Sequence, residues 1–145
     1  GGAFFRPMPF STPPLPRPFW LLLALYFIAS LTHFAHNAEF IAIYPNLPVW
    51  MTRESVYKAW LVVCIPGVLG LALRSLGWLR SGALLLAVYG ALGLAGLLHY
   101  TLALCGEHTL TTNLTIWFEV LSGATLAAAS LWLATQGLSR ANRAA

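Results

Sequence analysis

Two glutamates and three histidines fall inside stretches of this chain that are otherwise apolar. Glu39 and Glu119 are half of its acids, which number four and are all Glu. His33, His36 and His99 lie in the same kind of surroundings, and the fourth histidine, His108, follows Glu107 in a short polar connection. An ionisable side chain at the centre of a bilayer costs about 2.5–3.5 kcal/mol or more unless it is paired or wet. Such groups therefore belong where they meet partners or a ligand. Imidazole and carboxylate together suit metal binding, axial ligation of a tetrapyrrole, and proton transfer.

Spacing gives these residues a common place. His33, His36, Asn37 and Tyr44 follow i, i+3, i+4, i+11, one stripe of a helix, with Glu39 on its flank. Thr112, Thr115 and Glu119 follow i, i+3, i+7 on another. Counted from the ends of their apolar stretches, His36, His99 and Glu119 all fall roughly 8–12 Å below one surface. The expectation is a polar pocket opening at that surface, formed by His33, His36, Asn37, Glu39, His99, Tyr100, Thr115 and Glu119. Tyr44, Asn46, Trp50, Glu107 and His108 would form its lid. The alternative is that these groups only satisfy one another as interhelical hydrogen bonds, worth about 0.6–2 kcal/mol each.

Several occupants suit such a pocket. His33, His36, Glu39, His99 and Glu119 are ligands for a zinc, iron or copper ion, with a second, outer site at Glu107 and His108 beside Cys105. His33 and His99 each have Ala four residues before them (Ala29, Ala95), which leaves room for a haem- or chlorophyll-type ring. A lipophilic small molecule, drawn from membrane lipid, would meet His33, Asn37, Tyr44, Tyr100, Asn113, Thr115 and Trp117. A different class of reading makes the protein an accessory subunit of a larger membrane complex, docked through its aromatic surface and its Pro-rich arm.

Two segments carry a resemblance to a known family. THFAHNAEF (Thr32–Phe40) places His and Glu on one helix, and NLTIWFEV (Asn113–Val120) places Asn, Thr and Glu on another. Together they resemble the EXPERA family, in which a membrane His/Glu pair and an N-aromatic-T-hydrophobic-x-x-E helix line a sterol cavity. The resemblance implies isomerase-like proton transfer by His36, Glu39 and Glu119, supported by Asn113 and Thr115. Leu114 stands at the family's aromatic position, and two helices separate the segments.

The elements that must position these residues follow from composition. Of 145 residues 59% are apolar and only 8% are charged; a soluble domain typically carries about 25% charged residues. So little charge excludes a soluble enzyme and a nucleic-acid-binding module. Four apolar stretches, about 19–43, 52–74, 81–104 and 110–135, are each long enough to cross about 30 Å of hydrocarbon. The second contains Pro66 and reaches full length by starting at Thr52, a residue suited to cap it. The short connections predict an all-α, four-helix, up-down transmembrane bundle over residues 19–137. Its contacts are expected at Gly67, Gly70, Gly90, Gly93, Gly96 and Gly123, where small residues let backbones approach.

Residues 1–18 form a Pro-rich arm and 138–145 a basic tail. The absence of Met at Gly1 predicts a processed start, and the continuation of the first stretch past Ile28 predicts a retained span. Arg6, Arg17, Arg74, Arg80, Arg140 and Arg143 all fall on one side of a four-span protein, against Arg53 and Lys58 on the other. That bias predicts cytoplasmic termini and an outward-facing pocket. Cys64, in an apolar run, is expected to pack as a small hydrophobe. A bond from it to Cys105 would need close Cα atoms.

Overall fold

The computed structural model describes residues 13–144, with side chains described for 13–136. Most of the Pro-rich arm, including Arg6, and the side chains of Arg140 and Arg143 lie outside the described residues. Helix α1 spans Arg17–Glu39, α2 Arg53–Ser75, α3 Leu79–Leu92, α4 His99–Leu102 and α5 Leu110–Ala144. A 3₁₀ segment, Gly93–Leu98, joins α3 to α4, so that Leu79–Leu102 forms one continuous third span. Among the described residues, four helices are long and apolar enough to cross a membrane. Large apolar side chains such as Leu21, Val62, Val68 and Leu131 stand exposed around them. A surface of that kind suits lipid, as in a multi-pass integral membrane protein.

Local chemistry sets the helix ends. Pro16 caps α1, and Pro18 occupies its first turn, where a missing N–H costs nothing. Phe40 leaves helical geometry, so α1 stops at Glu39, and a 3₁₀ turn, Ile41–Ile43, carries the chain to Tyr44. Thr52 caps α2: its hydroxyl accepts from the Ser55 N–H while Ser55 Oγ accepts from the Thr52 N–H. At the other end, Gly77 takes φ 89° and the N–H groups of Gly77 and Trp78 bond the Arg74 and Leu73 carbonyls. This Schellman turn reverses the chain into α3. The last helix continues to Ala144, so the stretch expected as a separate tail is helical.

Each helix packs against two neighbours: α1 on α2 and α5, α3 on α2 and α5. The small residues sit at these seams. A Cβ on Gly70 would lie 2.9 Å from the Gly82 carbonyl, and one on Gly90 2.6 Å from the Gly123 carbonyl. Backbone therefore touches backbone where α2 crosses α3 and where α3 crosses α5. Phe19, Leu23, Tyr26, Leu86, Tyr89 and Leu126 fill the centre, with the Tyr26 and Tyr89 rings edge-on at 4.7 Å. The loops 40–52 and 103–109 share one end of the bundle, called here the loop end. The two cysteines are free.

Candidate functional site

Near the loop end the third span parts from α2. While α2 packs along Leu79–Leu92, the segment Gly93–Leu98 packs along α5. The wedge so formed is a cavity of about 290 Å³ between α1, α2 and the third span. Its walls are apolar: Phe34, Val56, Ala59, Leu92, Ala95 and Leu98. Leu47, Trp50 and Met51 of the first loop border it, and Asn46 pins that loop by donating to the Leu102 carbonyl at 2.8 Å. Asn46 takes φ 57° to make this turn, a conformation Asn tolerates better than most residues.

The polar groups of the cavity are His33, Asn37, His99, Glu119 and Ser55, whose hydroxyl is bonded to the Thr52 backbone. His33 Nδ1 is hydrogen-bonded to Glu119 Oε2, and the two residues are 3% and 1% exposed. In the tautomer that donates from Nδ1 to the Glu119 carboxylate, His33 Nε2 is an acceptor. Asn37 Nδ2 donates to His99 Nε2 at 3.3 Å, and the His33 and His99 rings meet edge to face at 5.2 Å. Two buried atoms of this group, His33 Nε2 and Asn37 Oδ1, have no hydrogen-bond partner in the protein.

Winding explains how three elements reach one point. A 3₁₀ helix has three residues per turn, so Gly93, Gly96 and His99 stack on one line, whereas an α-helix would swing His99 about 120° away. Gly93 lies against Tyr26, and His99 lies beside His33 and Asn37. A Cβ on Gly96 would lie 3.3 Å from Glu119 Oε2 and 3.4 Å from His33 Cε1. Gly96 thus makes the space that the buried pair occupies.

Other expected site residues lie elsewhere. Glu39 does not join Glu119: its side chain is 43% exposed, and it accepts from Arg53 Nε at 2.9 Å and from the Tyr57 hydroxyl at 2.8 Å. On α1, Asn37 is about 40° round from His33 but Glu39 about 120° round the other way, toward α2. His36 is half-buried, and its Nδ1 accepts from the Tyr44 hydroxyl at 2.9 Å. Burial pushes the Tyr44 hydroxyl up to about 12, so it stays protonated and donates. Tyr100 donates to Asn113 Oδ1 at 2.7 Å, Asn113 donates to the Cys105 carbonyl, and the Trp117 ring lies 6.3 Å from that of Tyr100. This trio closes the loop end on the α5 side and does not line the cavity. Thr115 is buried and donates to the Thr112 carbonyl within α5.

The described residues do not draw the expected metal ligands into one cluster. Among the described residues no group of three or more His, Cys, Asp or Glu is placed to hold a metal ion. His33 is committed to Glu119, His36 to Tyr44 and Glu39 to Arg53. At the expected outer site, Glu107 accepts from the Leu104 N–H at 2.6 Å, while His108 turns inward and donates to the His99 carbonyl. Two imidazoles ligating one iron would be parted by the macrocycle, but His33 and His99 are in direct edge-to-face contact.

Two contributors carry little sequence signal. The wall residues of α2 are apolar and ordinary, and Gly96 reads as one small residue among many. The clasp of Glu39 by Arg53 did have a signal, since opposite charges end α1 and begin α2 at the same end of an antiparallel pair. Compared with protein-family models, with curated proteins and with solved structures, the chain matches none.

Proposed function

We propose that the protein binds a small lipophilic molecule bearing a hydrogen-bond-donating head, a hydroxyl or an amine, in the cavity between α1, α2 and the third span. One observation carries this reading. His33 and Asn37 each keep a buried acceptor without a partner, and both residues line a largely apolar hollow. An unmet buried polar group costs about 1–3 kcal/mol, and a donor on a bound molecule would recover it. Glu119 lies behind His33 and fixes its tautomer, the arrangement that readies an imidazole to take or give a proton. Proton transfer on the bound molecule, as the EXPERA resemblance implies, would therefore run through His33 and Glu119, with Glu39 outside the reaction.

The test is a titration of the protein in lipid nanodiscs with 1-dodecanol, dodecylamine and dodecane, read by thermal unfolding. The alcohol or the amine raises the midpoint of the wild type and leaves that of Asn37→Leu unmoved, while dodecane shifts neither. Equal shifts from all three probes, or from wild type and Asn37→Leu alike, would refute the reading.

A further inference from the structure

A second hollow lies on the same seam. It measures about 350 Å³, sits between α1 and α2 nearer the terminal end, and is largely apolar: Trp20, Phe27, Cys64, Gly67, Leu71 and Tyr89 line it. Along α1 the first cavity takes His33, Phe34 and Asn37, and the second takes Trp20 to Ile28. Along α2 the first takes Ser55 to Ala59, and the second takes Cys64 to Leu71. The two are therefore collinear chambers of one groove, with Trp60 between them. The Trp60 ring lies 5.5 Å from that of Phe27, and its indole N–H donates to Ser30 Oγ at 3.3 Å.

Building on the binding reading above, we infer that the lower chamber receives the hydrocarbon tail of the molecule whose head meets His33 and Asn37, and that Trp60 is the partition between head and tail. The polarity of the groove sets this direction, because the imidazoles, the amide and the carboxylate all line the upper chamber, while the lower one is lined by aromatic and aliphatic side chains with only the Tyr89 hydroxyl, the Trp20 indole N–H and the Cys64 thiol among them. Seventeen residues of α1 separate Trp20 from Asn37, about 25 Å at 1.5 Å per residue. That length suits a single long chain with one polar end, such as a long-chain or isoprenoid alcohol or amine. Trp60 is held by one hydrogen bond, to Ser30, and by its contact with the Phe27 ring, so a chain that displaces it breaks these two contacts.

The test uses primary alcohols of eight and sixteen carbons, each with a photoreactive diazirine on its last carbon, on protein in nanodiscs. Labelled residues are read by peptide mass spectrometry. The eight-carbon probe should label the upper cavity. The sixteen-carbon probe should label 20–28 and 64–71 at least five-fold more than the short one does. Asn37→Leu should lower both labels at least five-fold, and Trp60→Leu should raise only the lower-chamber label of the long probe. Labelling of the upper cavity by both probes with none below would overturn the tail chamber and leave the head site standing. Lower-chamber labelling unchanged by Asn37→Leu would mark ordinary bilayer chains and overturn the inference. No labelling of the upper cavity by either probe would overturn the head site as well.

Discussion

Glu119 and Glu39 show how the same side chain takes opposite parts within one bundle. Glu119 is buried with His33 as its partner, so removing it strands an imidazole in a dry interior. Glu119→Ala should cost about 1–3 kcal/mol for the unmet His33 N–H and more for the cavity it leaves; Glu119→Gln, which still accepts from His33 Nδ1, should cost less. Glu39→Gln should leave the unfolding midpoint almost unmoved, because an exposed ion pair contributes little. Chemical unfolding of the three variants in detergent checks this ranking, and equal losses for Glu39→Gln and Glu119→Gln would contradict it. His33 and Asn37 were legible from the helical stripe they share, and His99 and Glu119 from their common depth. Glu39 was misread because its angle was taken from His36, on the edge of the stripe, when the inward direction is set by His33 and Asn37.

The third span is the element that shapes the cavity, and its winding was not legible. The run GLAGLLHY reads as ordinary small-residue helix, yet Gly93–Leu98 winds as 3₁₀ and so aligns Gly93, Gly96 and His99. Nothing local to those residues requires it; the packing of Gly93 on Tyr26 and of the segment along α5 does. The helix seams were legible, since glycine in an apolar span has few uses besides close packing. Two substitutions separate packing from cavity. Gly90→Leu places a Cβ 2.6 Å from backbone atoms of α5 and should cost about 1–3 kcal/mol or prevent folding. Gly96→Leu pushes into the cavity floor and should abolish the dodecanol shift, with a smaller loss of stability. A dodecanol response that survives Gly96→Leu would place binding elsewhere.

For the molecule as a whole, composition alone dictated four spans, and the alternation of short connections dictated neighbours. We propose, from arginine placement alone, that the loop end faces outside. Cys105 is exposed at that end and Cys64 half-buried within α2. A membrane-impermeant maleimide added to intact cells should therefore label the protein, and Cys105→Ser should remove the label. Labelling that appears only after the cells are permeabilised would invert the topology. What the chain could not disclose about itself is the wedge between α2 and the third span, because its walls are apolar residues that any membrane helix carries. Only the polar floor gave it away, and only as a depth.

The binding claim is tested most directly by native mass spectrometry of protein extracted from membranes, with wild type, Glu39→Gln and Asn37→Leu measured side by side. The wild type and Glu39→Gln should retain the same hydroxyl- or amine-bearing lipophile, and Asn37→Leu should release as the bare chain. A bare chain in all three, or one retained mass that survives Asn37→Leu, would contradict the account.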